Sequence, residues 1–379
     1  MSQTQQIFSK LVPSNALAST GTALYSLGIT TFQSSWLVSP VLIWGMDAPH
    51  GRFHSKNSRA WYANIHGNYG WIVMEIVSPL TFVATLLTPP LLSAATWDSI
   101  IKPHLSAFGE LPLPNRILAA LFVIHYAHRA VISPLTSPTR SPMHISVPLS
   151  AVFFNLINGF LMGSWLGGRS PAFAAPTEAI KKVAKASVAS LWNRKTTAAA
   201  PVIASSFPGP GLIPASAIRS PLFWIGIAGW AIGFAGNVYH DELLANLRRK
   251  PKKEATQAVA KQSSSNGKGV DVKSRYKVPH GGLFEYISFP NYLSEWFEWA
   301  SFAFAALYFL PIFQSSSLVP TASTSLQTFK VLLQAPPFLF LLAEVAAMLP
   351  RAYKGHLWYR QTFGDELPAK RKAVIPFIF

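Results

Sequence analysis

Cysteine is absent from the 379-residue chain, which excludes disulfides, thiolate metal sites and thiol nucleophiles, and thiol usage therefore says nothing about redox compartment. Acids are almost as scarce: 15 Asp and Glu stand against 32 Lys and Arg, and charged residues make up only 12% of the chain. That is about half the charged share of a typical soluble domain. No G-x-S-x-G elbow occurs, and no serine stands beside a histidine in a setting suited to nucleophilic attack. Internal repeats and coiled-coil heptads are likewise lacking. The N-terminal stretch before Leu17 carries a single Lys10, and the apolar run that follows is longer than a signal-peptide core, so it reads as an uncleaved helix.

What the chain has in quantity is apolar surface, with 50% hydrophobic and 13% aromatic residues. A bilayer core about 30 Å thick takes about 20 residues per helix. Seven runs approach that length: Leu17 to Trp44, Trp71 to Leu92, Ile117 to Pro134, Ile145 to Leu166, Pro221 to Tyr239, Asn291 to Phe313 and Gln327 to Leu349. The expectation is an all-α, multi-pass integral membrane protein of about seven transmembrane helices, built as a single domain over residues 1–379. Residues 170–216, rich in Ala, Pro, Ser and Lys, and the polar stretch 251–273 read as an inserted loop and a flexible linker, too poor in apolar surface to offset the entropy of ordering.

The net charge of +17 does not indicate nucleic acid, because the basic residues gather in loops and in the C-terminal tail. Arg248, Arg249, Lys250, Lys252 and Lys253 follow the fifth run, and Arg351, Lys354, Arg360 and Lys370 to Lys372 lie in the tail. The positive-inside rule puts both groups in the cytosol. The loop between the sixth and seventh runs, with no Lys or Arg, agrees; Lys181, Lys182, Lys185, Arg194 and Lys195, between the fourth and fifth, run against it.

An ionisable residue at membrane depth marks a candidate site, since it tends to be paired and to face a cavity. Four clusters qualify: Glu75; His125, Tyr126, His128 and Arg129; Asn237 with Asp241; and Glu295 with Glu298. Glu75 could instead pair with Arg129 as a structural strut. His125 and His128 have no further ligand beside them, so no metal site is expected. Gly226, Gly229, Gly233 and Gly236 lie within a span with no preceding strand and read as a helix-packing face rather than a dinucleotide loop. Tyr and Glu can polarise a carbonyl in a dry cavity, and Arg and Asn can hold phosphates. The inventory suits a reduction that uses a phosphorylated nucleotide.

The stretch YKVPHGGLFEYISFPNYLSEWFEW and the ending HLWYRQTFGDELPAKRKAVIPFIF resemble the C-terminal region of the steroid 5-alpha-reductases (3-oxo-5-alpha-steroid 4-dehydrogenases), here residues 274–379. APHGRF, the acid of WIVMEIVSP, HYAHR and GNVYHDELLANLR extend the resemblance upstream. It implies a seven-helix membrane enzyme, in the endoplasmic reticulum with the cofactor side and C-terminus cytosolic, that passes hydride from NADPH to the β-carbon of a conjugated enone. The resemblance assigns Glu75 and Tyr126 to the substrate carbonyl. It assigns Arg140, Asn237, Asp241, Arg248, Tyr276, Asn291, Glu295, Glu298, Arg351, His356 and Tyr359 to the cofactor. The implied substrate is a 3-oxo-4-ene steroid; alternatives are a trans-2-enoyl thioester or a polyprenol precursor, and, from SFPNYLSE alone, a membrane methyltransferase using S-adenosylmethionine. The chain departs from the steroid enzymes' pattern at Met74, where Gln is frequent, at Ser137 and Pro138, where an Asn-Arg pair is expected, and at Gly355, where a histidine can stand.

Overall fold

The computed structural model describes residues 14–44, 63–87, 105–168, 211–249, 276–310 and 328–378. The APHGRF stretch, the linker 251–273 and all of the inserted loop before Gly211 lie outside them. Helices occupy all seven expected positions: α1 (Ser14–Trp44), α2 (Gly67–Leu87), α3 (Leu113–Tyr126), α4 (Ser146–Leu166), α5 (Pro221–Arg248), α6 (Pro290–Leu307) and α7 (Pro336–Phe363). Proline in the first turn of α3, α5, α6 and α7 supplies a preset φ where no backbone N–H is required. Gly364, at φ 54°, ends α7 in the left-handed region that an L side chain avoids.

Four of these helices are long and apolar enough to cross a membrane: Gly67–Leu87, Leu113–Thr136, Ser146–Leu166 and Pro221–Arg248. The other three expected spans fall short of that measure among the described residues. Ser and Thr dilute α1, Glu295 and Glu298 interrupt α6, and Arg351, Lys354 and Arg360 charge the second half of α7.

Packing follows the small residues. On α5, a Cβ at Gly226 would stand 2.7 Å from Ala305 Cβ, at Gly233 2.5 Å from the Glu298 amide nitrogen and at Gly236 2.9 Å from Ser294 Oγ, so the glycines let α5 lie directly on α6. This is the packing face expected from the sequence. Gly159 and Gly163 of α4 meet the backbone of Ser78 and Phe82 in the same way, drawing α4 onto α2. Between the pairs, Phe82, Phe122, Trp299, Phe302 and Phe340 fill the core; Phe82 stacks on Phe122 at 4.2 Å, and Trp299 meets Phe340 edge-on at 4.7 Å.

The third helix does not end at Tyr126. Its hydrogen-bond ladder widens into a π-helical turn over Ala127–Ile132 and then recovers over Ser133–Thr136. Such turns re-aim side chains and recur at functional sites. Past it, two-residue strands β1 (Asn64–Ile65) and β2 (Met143–His144) pair antiparallel and join the starts of α2 and α4. Asn68 holds the intervening loop: its Nδ2 donates to the Pro134 carbonyl at 2.8 Å, and its Oδ1 accepts from the Arg140 amide at 2.7 Å.

Of the loop 170–216, the described end is packed: Asn115 Nδ2 donates to the carbonyls of Leu166 and Gly211, and Asn115 Oδ1 accepts from the Ile213 amide. The C-terminal tail folds back onto the start of α6. Ser288 donates its amide to the Lys372 carbonyl, Phe289 donates to Ala373, and Lys372 donates to Tyr286, so the last residues form a cap over Phe289, Tyr359 and Phe363.

Candidate active site

The acids of α6 find their partners on α3. Glu295 and Glu298 are three apart and face one way; His125 and Arg129, four apart and carried across the π turn, face them. His125 Nδ1 lies 2.7 Å from Glu298 Oε1, and Arg129 Nη1 donates to Glu295 at 3.1 Å. Arg129 Nε donates to Glu75 Oε1 at 3.1 Å, so one guanidinium bridges acids of α2 and α6. A buried carboxylate is costly without such compensation. Glu75, Glu295, Glu298 and His125 are all buried.

Beside this network the phenol of Tyr126 is also buried. Asn158 Nδ2 donates to Tyr126 Oη at 2.8 Å and to Ser78 Oγ at 3.1 Å. Asn155, one turn earlier on α4, donates to the Met74 carbonyl at 2.7 Å, while its Oδ1 lies 3.5 Å from the phenol oxygen. Tyr126 and Glu75 therefore share a layer without a direct hydrogen bond: α4 amides hold the phenol, and Arg129 holds the acid. The structural pairing of Glu75 with Arg129 foreseen as an alternative is present.

Next to the π turn, the network borders a narrow, partly open cleft. Trp71, His128, Arg129, Arg140, Asn237 and Asp241 line it. The Arg140 guanidinium lies 4.3 Å above the Trp71 ring and donates to Ser133 Oγ at 3.2 Å. Burial draws its pKa down to about 10, against the opposing pull of Asp241, so it stays cationic at neutral pH. Asn291 Nδ2 donates to Asp241 Oδ1 at 2.9 Å, which joins the start of α6 to α5. Two buried atoms here, Arg140 Nε and Asn291 Oδ1, have no hydrogen-bond partner among the described residues.

The expected site residues thus fall into groups. Glu75, Glu295 and Glu298 meet in the charge network, with Tyr126 beside it; Arg140, Asn237, Asp241 and Asn291 meet at the cleft; Arg248, exposed at the end of α5, lies within electrostatic range of Asp241. The remaining four belong to the C-terminal region and do not line the cleft: Tyr276 packs on Trp358 at 5.1 Å, Tyr359 sits under the tail, His356 Nδ1 meets Ser288 Oγ at 2.8 Å, and Arg351 is half-buried on α7. Burial, with the nearby charges of Arg360, Arg371 and Lys372, holds His356 down from 6.5 to about 4, hence neutral. Gly355 abuts the Phe289 ring, where any larger side chain, a histidine included, would collide. The described residues contain no cluster of three or more His, Cys, Asp or Glu able to hold a metal.

Several residues at these sites escaped the sequence reading. Asn155 and Asn158, in FFNLINGF, are amides three apart inside an apolar run, a signal of the same kind as a buried acid. Glu344 of α7 lies within electrostatic range of Glu75, Tyr126 and Arg129. Arg371, which looked like a tail charge, is 1% exposed and donates to the Pro279 carbonyl.

Comparison with known proteins identifies the family. The family described as 3-oxo-5-alpha-steroid 4-dehydrogenase matches residues 268–331 and 323–379. The chain is 33% identical over 341 residues to "Uncharacterized protein C9.08c" of Schizosaccharomyces pombe, covering 88% of this chain and 92% of that protein. It is 28% identical to 3-oxo-5-alpha-steroid 4-dehydrogenase 1 of Mus musculus, covering 73% of each chain. It is 25% identical to steroid 5-alpha-reductase DET2 of Solanum lycopersicum, covering 78% of this chain and 83% of that one. The chain belongs to the steroid 5-alpha-reductase family.

Proposed function

We propose that this member of the steroid 5-alpha-reductase family is an NADPH-dependent reductase of a carbon–carbon double bond conjugated to a carbonyl in a lipid, with a 3-oxo-4-ene steroid as the leading substrate. The observation that carries the reading is the junction of two environments. A buried phenol is set by amides on one side of the Glu75–Arg129–Glu295 network, and a cationic, partly open cleft lies on the other. A hydrophobic enone needs the first and a dinucleotide phosphate the second.

The residues present fit the cofactor. Arg140 Nε and Asn291 Oδ1 are a buried donor and acceptor without partners among the described residues, as a phosphate and a ribose or amide group would require. Arg140, Asn237, Asp241, Arg248 and Asn291 would hold NADPH at the cleft. Glu295 and Glu298 would border its inner end, and Tyr276, Arg351, His356 and Tyr359 would extend the site under the C-terminal cap. NADPH supplies a hydride. Tyr126 donates its hydroxyl to the substrate carbonyl, with Glu75 acting beside it in the same layer, and so stabilises the negative charge that arrives on oxygen when the β-carbon is reduced. The α-carbon then takes a proton from solvent, and the saturated ketone remains.

A membrane setting would bring a lipid to the phenol, and the basic end of α5 and the C-terminal tail support a cleft on the cytosolic side, in keeping with a place in the endoplasmic reticulum membrane, where NADPH is available. The enoyl thioester and polyprenal readings use the same donor and the same cleft. The test is NADPH oxidation by membranes carrying the chain, offered in parallel a 3-oxo-4-ene steroid, a trans-2-enoyl thioester and a polyprenal. One of them should be consumed with NADPH in equal amounts and yield a saturated carbonyl product. Retention of S-adenosylmethionine instead of NADPH would favour the methyltransferase reading.

A further inference from the structure

We propose that Asn158 of α4 is a positioning residue that aims the hydroxyl proton of Tyr126 at the substrate carbonyl; the inference rests on the reading of Tyr126 as the carbonyl donor. A phenol oxygen donates one proton and accepts through its lone pairs, and what it accepts decides where its proton points. Asn158 Nδ2 donates to Tyr126 Oη at 2.8 Å from the α4 side. The same amide donates to Ser78 Oγ of α2 at 3.1 Å, which fixes its orientation between the two helices. The Asn158 amide therefore occupies one lone pair, and the proton is left with a long, weak acceptor, Asn155 Oδ1 at 3.5 Å, which an incoming carbonyl oxygen can replace. A phenol that accepts strongly and donates weakly in the resting site has its hydrogen available for an incoming oxygen. A donor on the phenol oxygen also favours the charge that builds there as the proton shifts toward the enolate.

The backbone around Asn158 supports the same role. Gly159 follows it and lies against the backbone of Ser78, so α4 approaches α2 closely at this level. Asn158, Ser78 and Tyr126 are all buried, at 0, 0 and 2% exposure, and no bulk water competes for the amide. Phe122 and Trp299 pack on the Tyr126 ring at 4.8 and 6.4 Å and fix its plane, which leaves the hydroxyl torsion as the freedom that Asn158 removes. Asn155 ties the same helix to Met74, the neighbour of Glu75, so one helix indexes the phenol and the acid together.

The experiment is a double-mutant cycle on the full-length protein in detergent, with NADPH and the lipid turned over in the panel above. Kd for NADPH, KM and kcat are measured for wild type, Tyr126→Phe, Asn158→Leu and the double variant. Leucine keeps the four side-chain heavy atoms and the branch at Cγ, is bulkier, and lacks the donor. Asn158→Leu should lower kcat about 10- to 100-fold, as loss of orienting groups does, with NADPH affinity within about 2-fold of wild type. Added to Tyr126→Phe it should cost no more than about 2-fold, because a residue acting through the phenol has nothing to aim once the hydroxyl is gone. If Asn158→Leu does not fold, Asn158→Ser enters the same cycle. Unchanged kcat in a folded Asn158 variant while Tyr126→Phe is impaired, or losses that multiply in the double variant, overturn the proposal for Asn158 alone. A Tyr126→Phe variant with wild-type kcat overturns the donor reading and this inference with it.

Discussion

Tyr126→Phe keeps the ring between Phe122 and Trp299 and removes only the hydroxyl, the proposed donor to the carbonyl. Loss of one such donor costs about 100- to 1000-fold in turnover, and NADPH affinity should be retained. Glu75 separates two accounts of its pairing with Arg129. If it acts on the substrate, Glu75→Gln slows turnover, and its effect and that of Tyr126→Phe do not multiply. If it is only a strut, the variant loses thermal stability while the surviving folded protein keeps its specific activity. At the cleft, Asp241→Ala removes the partner of Asn291, and Arg140→Ala a cation held over Trp71. Both should weaken NADPH binding by about 10-fold or more, as expected for charged hydrogen bonds of about 1.5 to 3 kcal/mol, and titration of NADPH fluorescence measures it. The acids and the Tyr126 cluster were legible in the sequence because charge at membrane depth is expensive. Glu344, inside the seventh expected run, meets the same criterion but was not among the four clusters, whereas Arg371 looks like a topological charge until the tail folds back.

Helix positions were legible from long apolar runs, and the glycine face of α5 from its small-residue spacing. Gly233→Ala would drive a Cβ against the backbone of Glu298, which overpacking makes costly by about 1 to 3 kcal/mol. It should lower Tm and disturb the acid's pairing with His125, whereas Gly109→Ala, with nothing within 4 Å, should be silent. The π turn was not legible: nothing in HYAHRAVI distinguishes it from ordinary helix, and in the fold it lies between the contacts that His125 and Arg129 make to α6. On α7, His356 is favoured in its neutral form, so its contribution to stability is complete above 6.5 and is lost as pH falls toward about 4. Thermal unfolding over that window should fall more steeply for wild type than for His356→Gln; parallel curves would remove His356 from the account.

At the scale of the molecule, the bundle brings together acids from α2 and α6, bases from α3, amides from α4 and polar residues from α5, none of them neighbours in sequence. Residue identities were readable one helix at a time; the partnerships were not, because helix order in the bundle is set by packing rather than by sequence distance. The linker should be dispensable: deleting Lys252 to Asn266, with Arg248 and Tyr276 retained, should leave membrane activity intact, and lost turnover at normal expression would assign that segment to the site. The central claim is conjugate reduction by hydride from NADPH, and the destination of that hydride tests it most directly. With NADPH carrying deuterium at the transferable position, the product formed from the 3-oxo-4-ene steroid, or from the lipid of the panel that is consumed, should hold one deuterium at the former β-carbon and an intact carbonyl. Deuterium on a carbinol carbon, or a product with none, would contradict it.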